Sequence, residues 1–369
     1  MNTLAFAAPG LQRLKKALSH PELESAAILL CAPMQLSTGS HRLLVMSTHL
    51  PTDEDYAHRT PIRTELQTSF CLPIEQRARR EGLALVYVHT HPGGLPAHFS
   101  RVDDDTERDL AKYLKRRGSL APHAALLFAE DGLNARMLGG GEPLRVVELG
   151  ESLIVHLGAH ESVKDPEDRF DRQVRAFGAD GQHRLSTLCL AIVGLGGTGS
   201  LTAQQAAHLG VCNFLLVDDD VIEESNLNRV VGARRRDIGR PKVEVAKRMI
   251  MAINPKATVE ILKADITTRG VARRVIERDA VFCCTDSHAS RHVLNQAAYQ
   301  YLTPVIDMGV SINVAPNGAA KFAGHIKLLS PGQACLWCAN NLDSDEVRRE
   351  LMSDEQRAND PYAQGPARV

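Results

Sequence analysis

A chain of 369 residues, 44% hydrophobic and with a formal net charge of −1, is long enough for two ordinary cores and carries no global charge to drive it onto nucleic acid or a membrane. No stretch approaches the roughly twenty apolar residues of a membrane span, and the first ten residues lack the basic-then-apolar pattern of a secretory signal. The eight cysteines lack the dense spacing of a small secreted scaffold, so a reducing cytoplasm is the expected compartment.

In chain order, the apolar run Ala26-Ala27-Ile28-Leu29-Leu30 reads as a strand preceded by the acids Glu22 and Glu24. Leu83-Ala84-Leu85-Val86-Tyr87-Val88 reads as a buried strand that ends in His89-Thr90-His91-Pro92, with Gly93-Gly94 opening a loop. Side chains two apart on a strand share a face, so His89 and His91 can reach one ion. After Pro92 come seven residues and then Ser100-Arg101-Val102-Asp103, and Asp103 begins a helical pattern through Leu110, Tyr113 and Leu114. Ser100-x-x-Asp103 alone is also a capping box. Two imidazoles and a carboxylate at this spacing leave a fourth position to water, the arrangement of a hydrolytic rather than a structural zinc site.

This set resembles the motif of the JAMM (MPN-type) metallopeptidases: an upstream glutamate, His-Ser/Thr-His-Pro, seven residues, then Ser-x-x-Asp. The resemblance implies an N-terminal α/β metallopeptidase domain in which His89, His91 and Asp103 bind zinc. It further implies that Glu24 takes a proton from the attacking water and that Ser100 donates a hydrogen bond to the developing oxyanion. Glu22 is the alternative base.

Gly139-Gly140-Gly141-Glu142-Pro143 interrupts the first alternation, and the strand Leu144 to Leu149 can still belong to the first domain. The polar stretch 161–168 contains Pro166, which places the domain boundary near residue 160. The second half alternates regularly. Strands are expected at 188–193, 214–217, 259–262, 281–284 and 305–308, with helices at 200–209, 242–253 and 290–301. That order predicts an α/β fold with a mainly parallel, doubly wound, Rossmann-like sheet.

Within it, Ala191 to Gly199 is a strand running into a glycine-rich turn, with Gly194, Gly196 and Gly199 in G-x-G-x-x-G spacing and Asp218 nineteen residues past the last glycine. Alone, this fingerprint does not separate a nicotinamide cofactor from ATP. The run Asp218 to Arg229, Gly239-Arg240-Pro241-Lys242, Cys284-Thr285-Asp286 and the earlier Arg169-Phe170-Asp171-Arg172-Gln173 resemble ThiF/MoeB-type and ubiquitin-activating enzymes. The resemblance implies adenylation, in which attack of a carboxylate on the α-phosphate builds charge that cations offset. Position by position, it implies that Gly194, Gly196, Gly197 and Gly199 form a phosphate loop, with Asp218 on the ribose and Asp220 beside it. Asn226, Arg229 and Lys242 would contact the triphosphate, Asp286 would hold magnesium, and Arg172 would reach into a partner's site in a homodimer. Relatives often bind structural zinc through two Cys-x-x-Cys pairs; here Cys335 and Cys338 form one, so a C-terminally incomplete domain is expected, with the second pair beyond Val369.

Together the halves, 1–160 and 161–369, imply a bifunctional enzyme of a bacterial ubiquitin-like modification system using zinc, ATP and magnesium. Its partner would be a ubiquitin-like or sulfur-carrier protein ending in glycines, with a conjugating enzyme downstream and neither nucleic acid nor membrane. One domain would cleave at the partner's C-terminus and the other would adenylate the terminal glycine. The alternative is sulfur-carrier processing and activation in cysteine, thiamin or molybdopterin-type metabolism.

Overall fold

The computed structural model describes residues 1–156, 167–314, 318, 320–353 and 355–356. The chain divides into two compact units, 1–162 and 163–369. The expected boundary near residue 160 and most of the join at 161–168 lie outside the described residues.

In the first unit the elements are β1 (Asn2–Ala7), α1 (Gly10–Leu18), β2 (Ala26–Gln35), β3 (His41–His49), β4 (Tyr56–Thr60), β5 (Arg63–Leu66), α2 (Thr68–Glu81), β6 (Ala84–Thr90), α3 (Arg101–Arg116), β7 (Ala124–Ala129), β8 (Gly132–Met137), β9 (Leu144–Leu149) and β10 (Leu153–His156). Eight strands form one mixed sheet in the order β10-β9-β1-β3-β2-β6-β7-β8, and β4 pairs with β5 separately. Alternation along the strands supplies two cores. Leu29, Val86, Val88 and Leu126 pack toward α1 through Leu11, Leu14 and Leu18, whereas Ile28, Leu30 and Leu85 face α2 and α3 through Ile74, Ala78 and Leu114. β9 pairs in parallel with β1, so the strand past the glycine run belongs to this sheet. β6 lies inside the sheet, between β2 and β7, with His89 near its C-terminal end and His91 one residue past it.

The second unit comprises α4 (Asp171–Thr187), β11 (Cys189–Val193), α5 (Gly197–His208), β12 (Asn213–Val217), α6 (Lys242–Ile253), β13 (Thr258–Leu262), α7 (Arg269–Ile276), β14 (Ala280–Cys283), α8 (His288–Gln300), β15 (Val305–Val314), β16 (Ala320–Leu329) and α9 (Ser344–Leu351). The order β13-β12-β11-β14-β15-β16 is parallel up to β15 and antiparallel at β16. α5 and α6 cover one face, and α7 and α8 the other. The chain winds outward through β12 and β13, then returns to β14 on the other side of β11. That reversal opens a crevice at the carboxyl ends of β11 and β14, where open α/β sheets bind ligands.

Two differences from the sequence reading have physical causes. Helix α3 starts at Arg101, not Asp103, because Ser100 caps it: Ser100 Oγ accepts from the Asp103 N–H and the Asp103 carboxylate accepts from the Ser100 N–H. β16 was not anticipated; its apolar side, with Phe322 and Ile326, is exposed, so the strand has no buried face along most of its length.

Candidate functional site

His89, inside β6, and His91, one residue beyond it, meet Asp103 from the third position of α3. Their ligand atoms lie within 4.8 Å of one another. His89 Nε2 is 3.3 Å and His91 Nε2 3.9 Å from the Asp103 carboxylate, and the three side chains are 16%, 10% and 20% exposed. His89 Nε2 is buried and has no hydrogen-bond partner among the described residues. Burial drives its imidazole down to about 4, against the pull of Asp103, so the ring is neutral and its nitrogen lone pair available at neutral pH. His91 Nδ1 lies 3.1 Å from the Pro96 carbonyl, which fixes that nitrogen as the donor and leaves Nε2 facing inward as an acceptor.

An orphaned imidazole nitrogen, a second nitrogen oriented by a carbonyl and one carboxylate are the donor set zinc prefers. The capping box and the ligand reading coexist on one side chain, since Asp103 Oδ2 serves the cap while Oδ1 faces His89. Ser100 Oγ accepts from a backbone N–H, so its own proton is left to donate. Glu24 is buried just ahead of β2 with Oε1 4.0 Å from His91 Nε2. Burial, and then the nearby Asp103 charge, push its carboxyl up to about 7. Glu22 is exposed, with its N–H turned to His20.

Two arginines that the sequence did not single out brace this cluster. Arg59 donates to the Glu24 carbonyl at 3.0 Å and to Ser25 Oγ at 2.8 Å, and pairs with Asp53. Arg136 grips Glu107 and Asp104 on α3 and lies 3.8 Å from the centroid of Phe99, whose ring faces His89. No local motif announces either one; both reach the site from strands distant in sequence.

At the carboxyl end of β11 the glycine loop separates into two kinds of position. Gly194 has φ +85, and a Cβ there would meet the Cys284 carbonyl at 2.7 Å; a Cβ on Gly199 would meet the Gly194 carbonyl at 1.8 Å. These two are required by the fold itself. A Cβ on Gly196 would meet nothing within 4 Å, and one on Gly197 only the Arg229 side chain at 3.5 Å. The space above them is open, as a phosphate cradle needs.

Asp218 follows β12, buried, and accepts from the Leu195 N–H at 2.6 Å and the Asp220 N–H at 2.9 Å. Burial raises its carboxyl above the usual range, opposed by those hydrogen bonds and by Lys242. Lys242 Nζ is 2.6 Å from Asp220 Oδ2 and 4.0 Å from Asp218 Oδ1. Asn226 is buried, with its side chain accepting from the Glu223 N–H, and the exposed Arg229 donates to the Ser225 carbonyl at 2.7 Å. Asp286 is exposed between β14 and α8, on the same edge of the sheet. Arg172 is exposed on the first turn of α4. Cys335 and Cys338 hold their sulfurs 3.5 Å apart, but the only group of three or more ligands among the described residues is His89, His91 and Asp103. Among the described residues no third ligand joins the cysteine pair.

Two family models match the chain over separate stretches. The model of the ThiF family matches residues 170–359, and that of prokaryotic homologs of the JAB domain matches residues 11–138. The molybdopterin-synthase adenylyltransferase of Escherichia coli is 32% identical over 178 residues, 47% of this chain and 68% of that protein. The SAMP-activating enzyme E1 of Haloferax volcanii is 32% identical over 173 residues, 46% of this chain and 61% of that enzyme. Among solved structures, Escherichia coli MccB with succinimide aligns with a TM-score of 0.39 at 24% identity, over 46% of this chain and 51% of that one.

Proposed function

Because the chain belongs to the ThiF family and carries a JAB-type domain ahead of it, we propose that it both cleaves at the C-terminus of a ubiquitin-like protein and adenylates the terminal glycine so exposed. The observation that carries this reading is convergence. Residues 24, 89, 91 and 103 meet in the first unit, while the glycine loop, Asp218, Lys242 and Asp286 share one sheet edge in the second.

In the first unit, His89, His91 and Asp103 would hold zinc, which supplies Lewis-acid polarisation and brings the pKa of a water to about 7. Glu24 is positioned to accept that water's proton and Ser100 to donate to the developing oxyanion. In the second, Gly196 and Gly197 leave backbone N–H groups open to phosphate, and Asp218 takes the ribose. Asp220 releases Lys242 toward the triphosphate, which Arg229 and Asn226 also face. Asp286 would hold magnesium, whose charge offsets that developing on the α-phosphate. Arg172, exposed on α4, would complete the pocket of a second copy in a two-fold dimer. A conjugating enzyme would then accept the activated protein.

A second reading, in which a sulfur-carrier protein is activated for cofactor or amino-acid synthesis, is favoured by the E. coli relatives named for molybdopterin synthase and for the sulfur carrier ThiS. The test is ATP–pyrophosphate exchange by the full chain with glycine-ended carrier proteins, together with release of a C-terminal extension from the same carriers with and without a zinc chelator. Carrier-dependent exchange and chelator-sensitive release are expected. Exchange with no carrier, or release that survives chelation, sinks the corresponding half.

A further inference from the structure

Across the same sheet edge lies a cluster that the adenylation reading leaves unused. Asp307 on β15 is fully buried, and Arg291 on α8 grips it through Nε at 3.0 Å and Nη2 at 2.5 Å. His325 on β16 places Nε2 2.7 Å from Asp307 Oδ2. Arg291 Nη2 and His325 Nε2 are 2.9 Å apart because both donate to that one oxygen. The proton of the neutral ring is thereby fixed on Nε2, and Nδ1, with no hydrogen bond among the described residues, is left as a base. The side chain is 35% exposed. A seat is built for the ring: a Cβ on Gly309 would fall 2.3 Å from His325 Cε1 and 3.0 Å from Nδ1.

The register says where this base stands. Cys283, the last residue of β14, pairs with Asp307, and Gly309 pairs with His325. His325 therefore lies two residues, about 7 Å, further toward the carboxyl edge, on the side where the chain leaves β14 for Asp286. Two strand spacings, about 10 Å, separate β14 from β16. With ribose on Asp218 beside β12 and phosphate at the loop after β11, as the adenylation reading has them, the acyl group of an adenylate would lie on the β14 side of the ribose, and β16 is two strands further along that edge.

We propose that His325, held by Asp307, is the catalytic base of the second half-reaction, taking the proton of the amine or thiol that attacks the acyl-adenylate. The acceptor's nitrogen or sulfur bonds to the acyl carbon while the bond from that carbon to the phosphate oxygen breaks. The electron pair leaves with AMP, the acceptor's proton passes to Nδ1, and the carboxylate of Asp307 faces the imidazolium so formed. Formation of the adenylate needs no such base, since its nucleophile is already a carboxylate.

This inference rests on the adenylation reading, and the test separates the two. His325→Gln and Gly309→Ala, each with thermal melts matching the parent, are assayed with ATP and E. coli ThiS for pyrophosphate exchange. AMP release is measured with dithiothreitol as the thiol acceptor and hydroxylamine as the amine. Exchange within about threefold of the parent, with acceptor-dependent AMP release down about 100-fold for His325→Gln and about 10-fold for Gly309→Ala, supports the assignment. The arm that loses more identifies the acceptor class. Equal loss of exchange and release makes the cluster a structural brace and overturns the proposal, as does unchanged release with both acceptors or a variant that no longer melts like the parent. Absence of exchange in the parent sinks the adenylation reading, and this proposal with it.

Discussion

The two sites are prepared for their ligands in opposite ways. In the first unit two imidazole nitrogens face one carboxylate: His89 Nε2 is buried with no hydrogen-bond partner among the described residues, 3.3 Å from Asp103, and His91 Nε2 stands 4.0 Å from Glu24 and 3.9 Å from Asp103. In the second, the polar and charged groups already have partners, Lys242 in Asp220, Arg229 in a carbonyl and Asn226 in a backbone N–H. A site that pre-aims unpaired donors suits a small cation that must be held tightly. A site that neutralises itself suits a substrate that must enter and leave, since binding only exchanges one set of partners for another.

The sharpest way to break this contrast is to remove one group from the pre-aimed site. Glu24→Gln is expected to lower cleavage by about 10³-fold while the full chain keeps its zinc, because a base and not a ligand is lost. Metal analysis alongside a cleavage assay reads both, and lost zinc would make Glu24 a ligand. His91→Ala is expected to lose the metal itself, with zinc affinity down by more than about 100-fold in a chelator competition, beyond the 10- to 100-fold typical of an outer partner. Unchanged zinc content would show that the metal sits elsewhere.

Within the second site the glycines separate fold from ligand. Gly199→Ala drives a Cβ into the Gly194 carbonyl, and a loss of about 3 kcal/mol in denaturant unfolding is expected. Gly196→Ala, facing open space at φ −68, leaves stability within about 0.5 kcal/mol but lowers ATP affinity more than about 10-fold by titration calorimetry. If the two variants lose stability equally, the openness above Gly196 has no bearing on nucleotide. Lys242→Ala is expected to weaken ATP by a similar factor; the exposed Asp220 loses little, so any fall in melting temperature would report the buried Asp218 4.0 Å away.

How much of this was legible in the sequence follows from what each residue needs. Strands β11 to β14 and helix α6 were readable because a parallel sheet covered on both faces produces unbroken apolar runs. The histidines were readable because strand period and loop glycines fix their approach within a dozen residues. Arg59, Arg136 and the Asp307–His325 pair were not, because each acts through a partner brought close by strand pairing, and nothing near Arg136 in the sequence points to Glu107. Ser100-x-x-Asp103 posed a choice between cap and ligand, and the geometry is compatible with both, since Oδ2 serves the cap while Oδ1 faces His89.

The last contrast is in acid. In the first unit, His123 Nδ1 accepts from the Leu85 N–H at 2.9 Å and Nε2 lies 2.7 Å from Ser119 Oγ, so protonation would set a new N–H against a backbone donor. Burial accordingly holds its imidazole down at about 4. In the second unit, hydrogen bonds from Arg248, against the opposing effect of burial, hold Asp237 down to about 2. Both folded-state values are depressed, so in each case the unfolded chain binds the proton first and stability falls with acid. The windows differ: His123 gives up its share between about pH 6.5 and 4, Asp237 between about pH 4 and 2. Subtracting a variant isolates each group from the other titrations. Relative to His123→Asn, the parent is expected to lose about 2 kcal/mol of unfolding free energy on going from pH 7 to pH 4.5, whereas relative to Asp237→Asn it changes little over that range. A parent-minus-variant difference for His123 that stays flat across that window would show that the ring takes up its proton alike in the folded and unfolded chain, and that burial and the Leu85 N–H do not hold it neutral.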